Sequence, residues 1–390
     1  MLTHHDGRDY NVAASEAAKH ARGIMEARIA EGRASAVHLM ETVNSKIPAD
    51  YIARGNGMKF IADAEVEDHG VMVNTSCLAV ELKNLSGPAF GIHAHALQQI
   101  CTKAGVPYAY LSELVRAKEP WARAMAAHIL NEHYNQKRDD KGENLSTSRN
   151  LVRAVDGQVR GFLSDRYRRL DSRPLLDTFA RSCQKYGAVP VEGVVTDTRL
   201  ALKAYLPLVF EPVPNEVMLF GVEWSNSDFG AGKHAVRAIM LRLWCTNKAT
   251  LEDSLSQVHI GGRLSEDVEF SEKTYRLDTQ AQVSALGDVI DNALAPKNID
   301  ALCTTVRAAN EAKVEWRQFS SNLGKKLLKE ELKSARDAFE SDDVINLPAG
   351  KSVWRMSNAI SWIAGKVEDA DRKLELQRMA GDIILDAKAA

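Results

Sequence analysis

The sequence predicts an α+β fold: a central, mainly antiparallel β-sheet with a basic and aromatic hairpin, flanked by N-terminal helices and a helical C-terminal third. Three observations predict it. Residues 12–45 are dense in alanine and contain no proline, the first lying beyond them at Pro48. Residues 149–262 hold a series of short strand-like segments, mostly joined by short connections, which favours antiparallel pairing. From about residue 279 onward the apolar residues recur at helical spacing.

In order along the chain, residues 12–45 read as helical, and 56–84 as strands with β-branched runs. Three helices follow. AFGIHAHALQQICTKAGV ends near Gly105-Val106-Pro107, YAYLSELVRA comes next, and PWARAMAAHILNEHYNQK has Pro120 at its first turn. Residues 137–148 are polar and loop-like. Strands are expected at 149–155, 158–164, 188–196, 199–209, 216–225 and 233–245, with one helix, RPLLDTFARSCQKYG, among them. Five helical segments close the chain, among them SNLGKKLLKEELKSARDAFES and DADRKLELQRMAGDIILDAK. The expected domains are a helical and strand segment at 1–84, a central α+β domain at 85–265 and a helical region at 266–390.

The chain is long enough, at 390 residues, for a sizeable core. Its net charge of −2 steers nothing at long range, so any anion site must be a local patch. No apolar stretch approaches about 18 residues, so no membrane span is expected. The opening MLTHHDGRDYNV lacks the basic and apolar regions of a secretory signal. Cys77, Cys101, Cys183, Cys245 and Cys303 are widely spaced without a CxxC pair, and read as reduced thiols of a cytoplasmic protein.

Asp156-Gly157 is a two-residue turn signal, since a type I′ turn needs positive φ at both centres. With that turn fixed, Val155 should face Gln158, Ala154 face Val159, Arg153 face Arg160, and Leu151 face Phe162. One face then carries Val152, Ala154, Val159 and Leu163, and the other Arg149, Arg153, Arg160, Leu151 and Phe162. Two arginines side by side repel unless an anion or a carboxylate covers them. Arg166, Arg168 and Arg169 surround Tyr167 just beyond the hairpin. In RLALKAYLPLVF, Arg199, Ala201, Lys203 and Tyr205 share a face opposite the leucines. The candidate nucleic-acid-binding set is therefore Arg149, Arg153, Arg160, Phe162, Arg166, Tyr167, Arg168, Arg169, Lys203 and Tyr205. In the strand 233–245, Lys233 and Arg237 fall on one side. Lys325, Lys329 and Lys333 fall on one helical row, which is ordinarily a solvated face and is also a pattern able to track phosphates.

Motifs for catalysis are missing. GAGK at 230–233 fails as a phosphate loop, because Ser227 stands where glycine is required and His234 follows the lysine. His93 and His95 point to different faces if helical, so no metal site is assigned. Ser225-Asn226-Ser227-Asp228 reads as a turn or cap. No catalytic residue, metal or cofactor is assigned.

The run RAVDGQVRGFLSDRYRRLDSRPLLDTF resembles the central signature of the phage- and plasmid-borne proteins of domain-of-unknown-function family 932. VEWSNSDFGAGKHAVRAIMLRLWCTNKAT, VHIGGRL and WRMSNAISWIAG are similar to further blocks of that family, in the same order, and AFGIHAHALQQICTKAGVPYAYL to the block before the signature. Lys248 stands where the family has a small residue. The resemblance covers roughly residues 86–370 and implies a phage or plasmid origin and a host-cytoplasm setting, with no catalytic residues to transfer.

The expected function is binding of single-stranded nucleic acid, as an oligomeric DNA-annealing factor in recombination whose C-terminal helices supply subunit contacts. The alternative is a non-enzymatic interaction protein that meets a host defence or replication factor. A third reading is an enzyme site around Asn226, Asp228, His234 and His259.

Overall fold

Three sizeable apolar cores organise the described residues. The computed structural model describes residues 16–63, 65–68, 71–74, 78–136, 144–167, 169–214, 216–243, 248–250, 271–341 and 347–389. Arg168, Cys77, Cys245, His259 and the segment 258–264 lie outside the described residues.

Helix α1 (Glu16–Ser45) leads into β1 (Ala49–Arg54), β2 (Met58–Ala62), the small hairpin of β3 (Glu65–Asp68) and β4 (Val71–Asn74), then β5 (Leu78–Leu82) and β6 (Phe90–Ile92). Helices α2 (Ala94–Ala104), α3 (Tyr108–Arg116) and α4 (Pro120–Gln136) follow. The hairpin of β7 (Arg149–Val155) and β8 (Gln158–Ser164) precedes α5 (Ser172–Lys185). Next come β9 (Val189–Val195), β10 (Leu200–Tyr205), β11 (Phe210–Val213), β12 (Glu216–Asn226), β13 (Ala235–Arg242) and β14 (Lys248–Thr250). The chain continues through α6 (Glu272–Ala293), α7 (Pro296–Glu311), α8 (Trp316–Leu323), α9 (Lys329–Glu340), α10 (Val353–Ala364) and α11 (Ala370–Ala389).

The fold is α+β, as the sequence predicts, but the expected single central sheet is two. The first sheet runs β1-β7-β8-β6-β5-β2, with β6 parallel to β8. The second runs β14-β13-β12-β10-β9, with β11 on β12, and is antiparallel. The first sheet takes β1, β2 and β5 from before residue 84 and the others from after it, so the expected boundary at 84/85 falls inside one sheet. Helices α2 and α4 cover this sheet, burying Leu97, Ile100, Leu130 and Tyr134 against Phe60, Val80 and Val152.

One face of the second sheet packs on the helical part. Phe220 and Trp224 share a core with Phe179 of α5, Ile290 of α6, and Trp354 and Ile360 of α10. The C-terminal helices bury much of their apolar surface in this core, while Leu277 of α6 and Leu328 before α9 stand exposed. The other face buries Tyr205, Leu219 and Ile239 against Ala21 and Met25 of α1. Gly32 allows that helix to lie on β9, since a Cβ there would stand 2.4 Å from the Cα of Val191.

The hairpin forms on its predicted turn, with φ of 50° at Asp156 and 72° at Gly157. Val155 faces Gln158 and Ala154 faces Val159, also as expected. A bulge then inserts, and Arg153 faces Gly161 while Val152 faces Phe162. One extra residue reverses every side chain beyond it. Arg153 and Arg160 are therefore not a cross-strand pair, and Phe162 joins Val152, Ala154 and Val159 in the core.

Residues 321–341, expected as one helix, break between Leu323 and Lys329. The Glu331 carboxylate accepts the Leu328 N–H at 2.9 Å and starts α9 anew. Lys325 sits in the break, so the expected row with Lys329 and Lys333 does not exist.

Candidate functional site

The predicted arginine face is an internal ion-pair network. Arg153 is 1% exposed. Its Nε donates to Asp50 at 2.7 Å, one terminal nitrogen to Asp171 at 2.5 Å, and the other to the Asp228 carbonyl at 2.6 Å. Each nitrogen of the fork has an acceptor, so no anion is required. Arg169 lies 3.3 Å from the other Asp50 oxygen and packs over the Tyr275 ring. Arg160 is buried against Asp197 at 3.3 Å, and Lys46 approaches the same carboxylate at 3.4 Å.

The remaining predicted residues scatter. Arg149, partly exposed, pairs with Asp165 at 3.4 Å. Arg166 is half-buried beyond the hairpin. The Tyr167 hydroxyl donates to the Ser227 carbonyl at 3.2 Å, and burial pushes its pKa up to about 12. Phe162 packs edge-on against Tyr134 and is closed to a base. Lys203 and Tyr205 are buried in the second sheet, away from the hairpin's sheet.

Asn226 and Asp228 serve the start of α5. One Asp228 oxygen accepts from the Ser172 N–H at 2.9 Å, the Ser172 hydroxyl at 2.7 Å and the Asn226 amide at 3.1 Å. This satisfies an N–H that a helix start leaves open. Burial raises the Asp228 pKa to about 6. His234 accepts instead from the Trp224 indole at 3.3 Å, so the three residues do not converge on one site. The Ser227 hydroxyl accepts from the Ala231 N–H and donates to the Thr198 carbonyl, which makes the turn the sequence predicts. His93 caps α2, its Nδ1 accepting the His95 N–H at 3.2 Å, while His95 Nε2 meets the Phe229 carbonyl at 3.1 Å. Among the described residues, no three His, Cys, Asp or Glu side chains stand close enough to hold a metal, and no helix is long and apolar enough to cross a membrane.

A different constellation stands out on the second sheet. Register aligns Lys203 of β10, Glu223 of β12 and Arg237 of β13 across three adjacent strands. Glu223 is 0% exposed. Lys203 approaches it at 3.5 Å, Arg237 at 3.3 Å, and Arg378 of α11 at 3.5 Å. Lys203 also donates to Gln377 at 2.6 Å, and Glu192 faces it across β9. Three cations thus converge on the Glu223 carboxylate.

Over this cluster opens a cleft of about 430 Å³ between the sheet and α11. Its charged walls are Arg199, Lys233, Arg237, Lys326 and Arg378 against Asp371, Glu375 and Asp382. Arg199 pairs with Asp371 at 3.0 Å, and Glu375 with Arg372 at 2.9 Å. Five cations face three carboxylates, an excess of two positive charges. They are graded in depth: Arg237 is buried, Arg378 half-exposed, and Lys233 and Lys326 exposed.

Part of this cleft is visible in the sequence. Arg199 with Lys203, and Lys233 with Arg237, are the same-face pairs of two predicted strands. Lys326 and Arg378 carry no such signal. Lys326 enters through the break between α8 and α9, and Arg378 through the docking of α11.

No protein-family model, no curated protein and no solved structure significantly matches the chain.

Proposed function

We propose that the protein binds single-stranded nucleic acid through the cleft between the second sheet and α11. The observation that carries this reading is the excess of positive charge in a recess that deepens toward Arg237. Phosphates seated on Lys233, Lys326 and Arg378 release counterions and gain charge-assisted hydrogen bonds. A duplex presents its phosphates on a stiff cylinder, whereas a single strand can bend one phosphate into a recess. The hairpin arginines contribute indirectly, by holding the two sheets together. The resemblance to family 932 adds a phage or plasmid setting, in which single-stranded intermediates of replication and recombination are available ligands.

The test is binding of a labelled strand with 5′-hydroxyl ends at two salt concentrations. Neutralising about three phosphates predicts a roughly tenfold or greater loss of affinity between about 50 and 200 mM salt. No binding at low salt, or an affinity indifferent to salt, overturns the reading.

A further inference from the structure

We propose that the floor of this cleft is a pocket for the terminal phosphate of a nucleic-acid strand. The inference rests on the strand-binding reading above and names the part of the strand that the cleft takes.

Charge is the first argument. Wall and floor together carry six cations, Arg199, Lys203, Lys233, Arg237, Lys326 and Arg378, against the four carboxylates of Asp371, Glu375, Asp382 and Glu223, with Glu192 facing Lys203 from β9. An internal phosphodiester brings one negative charge. A terminal monoester brings about −1.5 to −2 at pH 7 and three acceptor oxygens. The monoester is the group that neutralises the excess.

Depth is the second. Beneath the cleft lies a continuous sheet in which Ala201, Ser225, Asn226 and Arg237 are buried, so nothing can thread through that wall. A volume of about 430 Å³ lies toward the small end of ligand pockets, which span about 300–1,000 Å³, and suits one nucleotide rather than a run of them. A strand end can enter such a recess head-on.

The donor set is the third. Arg237 and Arg378 both border the space; one terminal nitrogen of Arg237 is engaged by Glu223 at 3.3 Å and Ser225 at 3.0 Å, so Arg378 is the guanidinium better placed to present paired N–H donors to phosphate oxygens. Arg378 holds Glu223 only at 3.5 Å, a long contact for a charged pair, so its fork can turn toward a better acceptor without breaking a short bond.

The experiment compares one oligonucleotide with 5′-hydroxyl, 5′-phosphate and 3′-phosphate ends, with a nucleoside 5′-monophosphate as competitor. At least one phosphorylated end should bind about tenfold tighter than the hydroxyl form, equivalent to about 1.4 kcal/mol. The monophosphate should displace it, and Arg378→Gln should remove most of the gain. On the wild-type protein, phosphorus NMR should show the bound terminal phosphate titrating below its free value of about 6, because the cations favour the dianion. Equal affinity for all three ends overturns the inference and leaves strand binding standing. Binding of the monophosphate without either phosphorylated strand overturns it in favour of a small phosphate ligand. Failure of every strand and of the monophosphate overturns both readings.

Discussion

Arg378 of α11 reaches the fully buried carboxylate of Glu223 on β12 at 3.5 Å, from 155 residues away in sequence. Glu223 already receives Lys203 and Arg237 from its neighbouring strands. It is the group that makes three cations tolerable on one buried sheet face, because like charges out of water repel strongly.

Glu223→Gln keeps the shape and removes the counter-charge. Leaving buried charges uncompensated costs about 3–5 kcal/mol. Urea unfolding should show that loss in a buffer without multivalent anions, and a partial recovery on adding inorganic phosphate. Unchanged stability would show that the three cations do not depend on Glu223.

Arg153→Ala should lower stability by about 3–5 kcal/mol, since Asp50 and Asp171 lose the cation between them. The folded fraction should bind a labelled strand as the wild type does. Lost binding at full stability would return the hairpin to the functional surface.

Lys233→Ala with Lys326→Ala tests the rim. Both lysines are exposed, so stability should move by less than about 0.5 kcal/mol for each. The slope of log affinity against log salt should become shallower by about 1.4 if each lysine contacts one phosphate of a single strand. An unaltered slope would remove the rim from the binding surface.

Asp228 gives a pH prediction. Burial raises its pKa from 3.8 to about 6. Between those values the folded protein keeps a proton that the unfolded chain has released. The stabilisation from this carboxyl is full below 3.8 and is lost as pH rises through about 6. Asp228→Asn should therefore gain about 2–3 kcal/mol on the wild type as pH rises from about 4 to 8. Parallel stability curves for the two proteins would refute it.

Much of the fold was legible. Asp156-Gly157 announced its turn, and β7 and β8 carry the bounds that the alternation predicted, because both signals are local. Helices α3 and α4 follow from proline placement and spacing for the same reason. The bulge at Arg160 left no mark in the sequence, and it moved Phe162 from the supposed binding face into the core. Glu331, an ordinary acid in a helical pattern, ended that pattern by capping a second helix.

By itself the sequence determined the α+β class, the order of nearly all the elements and the clustering of arginine near the hairpin. Tertiary structure alone decided that two sheets form, that Asp50, Asp171 and Asp197 meet those arginines, and that Lys326 and Arg378 join Arg199, Lys233 and Arg237 in one cleft. The reason is the range of the forces. Turn and helix preferences act over a few residues, whereas whether a charge is solvated, paired or aimed at a ligand depends on partners that only folding brings into contact.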